Sequence, residues 1–88
     1  MEYEFDEKKD LANLGKRGFG LDYGIPVLRG RVGEIVDDRL SNEERRIAFG
    51  LVDGRLYVCV STMRGEVCRI ISVRKANKRE CKKWLLLK

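Results

Sequence analysis

The chain has 88 residues, 43% hydrophobic and 38% charged, with a formal net charge of +5 and no histidine. That length holds one domain over residues 1–88 and one core, that hydrophobic content excludes a disordered chain, and the longest apolar run, Leu56-Tyr57-Val58-Cys59-Val60, excludes a membrane-spanning helix. The charge is uneven: residues 1–44 carry seven Lys/Arg against eleven Asp/Glu, net −4, and residues 45–88 carry twelve against three, net +9. Such a one-sided field attracts polyanions, RNA among them.

Met1 to Asp6 is acidic and has no apolar stretch, so no targeting peptide is expected and the cytoplasm is the expected compartment. Tyr3 to Phe5 fits a short first strand. Asp6 then caps a helix with an acidic first turn, whose last turn carries Lys16 and Arg17 before Gly18. Leu11 and Leu14 face one way on it, and Lys9, Asn13 and Lys16 form a second, polar stripe. Residues 19–31, broken by Gly20, Gly24, Pro26 and Gly30, fit only a short second helix.

From Val32 the pattern turns to strands: Val32 to Val36, Arg46 to Val52, Arg55 to Thr62, and Glu66 to Val73. Asp53-Gly54 and Met63-Arg64-Gly65-Glu66 supply two tight turns, so the last three strands are expected as an antiparallel meander. With a turn at Arg64 and Gly65, alternation puts Val58, Val60, Val67, Arg69, Ile71 and Val73 on one face. Tyr57, Cys59, Ser61, Cys68, Ile70 and Ser72 fall on the other. Beyond Ser72, Ala76, Cys81, Trp84 and Leu85 approximate one face of a basic C-terminal helix. The expected fold class is α+β: a single domain with an antiparallel sheet of about four strands, packed with an N-terminal helix pair and a C-terminal helix.

Cys59, Cys68 and Cys81 have no zinc or redox spacing, so no metal site is expected and the thiols are expected reduced and mostly buried. No glycine-rich phosphate loop is present, and no cofactor is expected. The residues left for chemistry are arginines: Arg45, Arg46, Arg64, Arg69 and Arg74, with Lys75, lie on or beside the sheet, and guanidinium forks suit phosphate oxygens. Arg69, amid apolar neighbours, is expected to find a carboxylate or carbonyl, and a structural ion pair with Glu80 or Glu43 stands level with a catalytic role. Tyr57 is read either as a stacking platform for a base or as a half-buried strand tyrosine.

Phe5-Asp6 followed by Lys9, Asn13 and Lys16-Arg17-Gly18 resembles the opening of the BrnT family, the toxin halves of bacterial type II toxin–antitoxin pairs. The resemblance continues through Asn42-Glu43-Glu44-Arg45, Ala48-Phe49-Gly50 and Gly54-Arg55-Leu56. It is fullest from Thr62 and Arg64-Gly65 through Arg69-Ile70-Ile71-Ser72-Val73-Arg74-Lys75-Ala76 to Glu80. It implies a RelE-like fold and metal-independent cleavage of RNA that inhibits translation. It also implies a DNA-binding, BrnA-like antitoxin in a hetero-oligomer. Three features depart from the family pattern: Arg17 stands where the family has histidine, Gly24 to Pro26 interrupts a smoother helix, and the loop from Asp38 to Asn42 is about one residue short.

On this reading the RNA 2′-OH attacks the adjacent phosphorus. Arg64 and Arg74 contact the phosphorane, Arg45 positions the backbone, and Glu43 or Glu80 acts as base or, with more support, orients an arginine. Lys9, Asn13, Lys16, Arg17, Arg69 and Lys75 extend the RNA surface, although the α-helical stripe has an equal reading as a purely structural contact. The apolar tail Trp84, Leu85, Leu86 and Leu87 is expected at the antitoxin interface. A non-catalytic module that binds RNA or antitoxin is the alternative, and Arg17 is its best support.

Overall fold

The computed structural model describes residues 1–37 and 44–85. In chain order the elements are β1 (Glu2–Glu4), α1 (Glu7–Arg17), a 3₁₀ turn (Leu21–Tyr23), α2 (Gly24–Arg29), β2 (Arg31–Asp37), β3 (Arg45–Val52), β4 (Arg55–Arg64), β5 (Val67–Lys75) and α3 (Lys78–Leu85). The α+β class is the expected one. Glu43, Leu86 and Leu87, singled out above, lie outside the described residues.

The sheet differs from expectation in having five strands, in the order β1-β5-β4-β3-β2, with β1 parallel to β5 and the rest antiparallel. The expectation of a wholly antiparallel sheet rested on the shortness of the loops. It missed that the first and last strands can pair with the whole intervening chain as their connection. β1 covers only the first part of β5, since Glu2, Tyr3 and Glu4 stand opposite Val67, Cys68 and Arg69.

α1 starts where Asp6 accepts hydrogen bonds from the backbone N–H groups of Lys8 (2.8 Å) and Lys9 (3.2 Å), and ends at Gly18 with a φ of 84°. Those two bonds hold the Asp6 carboxyl below its ordinary pKa. The buried residue of α1 is Asn13, while Leu11 and Leu14 are 66% and 49% exposed. The helix is therefore docked by polar hooks, not by its leucines: Asp10 accepts from the Leu21 N–H at 2.6 Å and Asn13 donates to the Phe19 carbonyl at 2.8 Å.

Each sheet face has its own core. On one, Leu21, Val27 and Leu28 pack over Ala48, Tyr57, Cys59, Cys68, Ile70 and Val73. α2 lies so close that a Cβ at Gly24 would come within 2.9 Å of the Cys59 sulfur. Burial there pushes the Cys59 thiol up to about 12. On the other face, α3 lays Trp84, Leu85 and Cys81 over Phe49, Leu56 and Val58, with Ala76 packed there just before the helix. Trp84 stacks on Phe49 with centroids 4.7 Å apart and fills the space a side chain at Gly33 would need.

A bulge corrects the expected division of β5. Up to Thr62 opposite Arg69 and Ser61 opposite Ile70 the alternation holds. The register then shifts, so that Val60 stands opposite Ser72, Cys59 opposite Val73 and Val58 opposite Arg74. Val73 thus turns to the α2 face, and Ser72 and Arg74 turn to the α3 face. The one-residue insertion re-aims Arg74, and an argument from alternation alone cannot see it.

Candidate nucleic-acid interface

Register places Arg45, Arg64, Arg69 and Arg74 in two groups on the α3 side of the sheet, and puts Arg46, opposite Ser61, on the other face. Arg45, Thr62 and Arg69 stand directly opposite one another across β3, β4 and β5, and Arg64 follows two residues after Thr62. Arg45 and Arg69, two strands apart, are about 10 Å from each other at the backbone. Thr62 is buried and donates to the Glu44 carbonyl at 2.8 Å. Arg69 pairs with Glu4 of β1 at 2.7 Å, because the parallel pairing of β1 brings Glu4 opposite it, while Glu80, one of its expected partners, pairs with Arg74.

Arg74 belongs to the second group. It stands opposite Val58, and Arg64 lies six residues farther along β4, about 20 Å at 3.3 Å per residue. That separation puts the two arginines, expected together at one phosphorus, in different groups. Between the groups runs an apolar row in which Ile35, Ile47 and Val60 face each other across β2, β3 and β4.

Around Arg74 the geometry is more convergent. A cavity of about 310 Å³ is lined by Arg17, Phe19, Arg74 and Lys75. Arg74 is gripped by Glu80 through two bonds of 2.8 Å, one to each carboxylate oxygen. Glu80 Oε1 also accepts from the Asn77 N–H at 2.9 Å, and Asn77 Oδ1 accepts from the Glu80 N–H at 2.8 Å, a capping box that starts α3. The hydrogen bonds from Arg74 depress the Glu80 carboxyl and raise the Arg74 guanidinium.

Arg17 reaches the same cavity from the C-terminal end of α1. Its Nη1 donates to Asn13 Oδ1 at 3.2 Å, and the buried Asn13 amide is itself fixed by the Phe19 carbonyl. Phe19 leans on Tyr23 and Tyr57 with centroids 5.1 and 5.7 Å away. Tyr57 is buried in this aromatic cluster, so of its two readings the core one holds, and Phe19 is the aromatic that lines the cavity. Sequence reasoning passed over Phe19, although its place just after the Gly18 helix cap was a usable signal.

A second depression of about 180 Å³ adjoins the first and shares Arg17; Lys9, Ala12, Asn13, Lys16, Ile71 and Ser72 complete its lining. Asn13 docks the helix through the Phe19 carbonyl and holds Arg17, and all four residues of the stripe, Lys9 and Lys16 with them, line the depression. Trp84 and Leu85 are already engaged by Phe49, Leu56 and Val58, which accounts for their apolarity within the fold. Among the described residues no helix is long and apolar enough to cross a membrane.

Residues 5–80 match the family described as ribonuclease toxin, BrnT, of type II toxin–antitoxin systems. The chain belongs to the BrnT family. No curated protein and no solved structure matches it. Membership makes ribonuclease toxin the functional class and a cognate antitoxin the partner class of this BrnT protein. The matched span takes in Arg17, Arg45, Arg64, Arg69, Arg74, Lys75 and Glu80, so both arginine groups lie within the family region.

Proposed function

We propose that this BrnT protein is a metal-independent endoribonuclease whose reacting phosphate sits in the cavity between α1 and β5. The observation that carries the reading is the convergence of Arg17, Arg74 and Lys75 on one cavity, with Arg74 preset by Glu80 and Phe19 available to stack a base. The 2′-oxygen forms a bond to phosphorus while the bond to the 5′-oxygen breaks. The 2′ proton leaves, the 5′-oxygen gains one, and the products carry a 2′,3′-cyclic phosphate and a 5′-hydroxyl.

Charge on the phosphorane is stabilised by Arg74 and Arg17, with Lys75 beside them. Glu80 is a positioning residue, because its oxygens accept from Arg74 and Asn77 and its depressed carboxyl makes it a weak base. Arg45, Arg64 and Arg69 add to the field that speeds RNA capture. The cognate antitoxin neutralises the protein by presenting acidic residues to the cavity, for which the three cations are the complement.

Purified protein incubated with RNA in chelator should yield ends bearing 2′,3′-cyclic phosphate, and R74A should lose most of that activity. Cleavage that stops in chelator would remove the metal-independent mechanism. The second reading, a module that binds RNA without cleaving it, is favoured by one observation: Arg17, a fixed positive charge, lines the cavity where the family has histidine. Tight RNA binding with no new ends in either chelator or magnesium would select it.

A further inference from the structure

The two depressions that share Arg17 form one groove along the outer edge of β5. Lys9, Lys16 and Arg17 line its α1 wall, Ile71 and Ser72 its floor, and Arg74 and Lys75 its end at the cavity. Among the described residues no carboxylate lines either depression. Glu80, the carboxylate beside Arg74, is spent on that arginine. The groove exists because β1 stops opposite Arg69, which leaves the rest of β5 without a strand beyond it, and α1 runs beside that edge instead.

We propose that this groove is the track by which a single strand of RNA reaches the cavity, with Lys9 and Lys16 each holding one backbone phosphate on one side of the scissile bond. The inference rests on the ribonuclease reading and adds to it the class of substrate and the path it takes. The rival path, across the open sheet face to Arg45 and Arg64, is less suited to a phosphate backbone. It crosses the apolar row of Ile35, Ile47 and Val60, and its Arg69 is tied to Glu4. An unpaired strand is the substrate because Phe19, at the end of the groove, offers a ring face that only an unstacked base can use.

The test separates the track from the chemistry by measuring binding and cleavage apart. A fluorescein-labelled eight-nucleotide 2′-O-methyl RNA, which lacks the attacking hydroxyl, is titrated by anisotropy against wild type, K9A/K16A, K9R/K16R and R45A/R64A at several salt concentrations. K9A/K16A should bind about 10-fold more weakly. Its slope of log Kd on log salt should fall by about 1.4, the loss of two single-strand phosphate contacts at about 0.7 each. K9R/K16R should restore both. In cleavage assays K9A/K16A should raise KM for the unmodified eight-mer about 10-fold and leave kcat within about twofold, and a dinucleotide should be cut alike by both proteins.

K9A/K16A binding as tightly as wild type, or duplex RNA binding as well as the single strand, would overturn the track. If binding follows the prediction and wild type yields no cleavage, the chemistry assigned to the cavity fails and the groove stands. If cleavage is intact and K9A/K16A leaves KM unchanged, the groove fails and the chemistry stands.

Discussion

Arg74 is the residue on which the proposed chemistry leans most, and Glu80 is what makes it a fixed instrument. A guanidinium held at both nitrogens by one carboxylate needs little reorganisation when charge develops on a phosphate before it. Replacement R74A is expected to lower kcat about 100- to 1000-fold, the usual loss for one preorganised charge-stabilising group. Single-turnover cleavage measures it, and a loss under about threefold would move the chemistry elsewhere. E80Q keeps the capping box, since glutamine serves there too, and removes the charge. The Glu80 carboxyl is depressed below its ordinary value of 4.5, chiefly by Arg74. The folded state therefore binds a proton there less readily than the unfolded chain. Stability from the pair is complete above the unfolded pKa and is lost as pH falls through the lower folded one. Denaturant unfolding should find wild type about 1 kcal/mol more stable than E80Q at neutral pH, near the upper end for a partly exposed pair. The two should converge in acid, and a gap that persists there would exclude the charge as its origin.

Among elements, α1 and α3 are attached by opposite means, and only one of them was legible. The caps of α1, Asp6 and Gly18, could be read directly from residue types, and they are where the sequence puts them. Its packing face could not, because the helix turns its leucines outward and buries an asparagine, a choice made by the Phe19 carbonyl and the Arg17 side chain. N13A should cost about 2 kcal/mol by stranding those groups, whereas L11S/L14S should stay within about 0.5 kcal/mol. Thermal melts that reverse this order would contradict the polar docking. α3 follows the ordinary rule, its apolar face on Phe49, Leu56 and Val58. G33A should push the indole aside at a cost of about 1 to 3 kcal/mol. The emission of Trp84, the single tryptophan, should shift toward that of a solvated ring. The bulge in β5 was illegible for a different reason: alternation has no memory of an inserted residue, and the residues around Val60 and Ser72 carry no glycine or proline to mark one.

For the whole molecule, charge asymmetry proved a coarse guide to a finer arrangement. The basic half supplies Arg74 and Lys75, yet the cavity also takes Arg17 from the acidic half, so the site is made where the halves meet. The residue types at the site could be named in advance; their grouping could not, because it depends on a parallel first strand and a bulge. Association with RNA should slow steeply with ionic strength, since capture is steered by the summed field, while kcat should change little. Stopped-flow mixing at rising salt would check this, and a salt-independent rate would argue against steering.

The parallel pairing of β1 with β5 also has a bearing on how the protein is made. Glu2, Tyr3 and Glu4 complete a sheet with Val67, Cys68 and Arg69, strands separated by nearly all the rest of the fold, the kind of distant contact that slows folding. Arg74, Lys75 and Glu80 follow even later in synthesis than the start of that strand. A nascent chain in which these residues have yet to emerge therefore carries no assembled cavity, and the hazardous part of this toxin comes into being only after both helix α1 and strand β5 have been made.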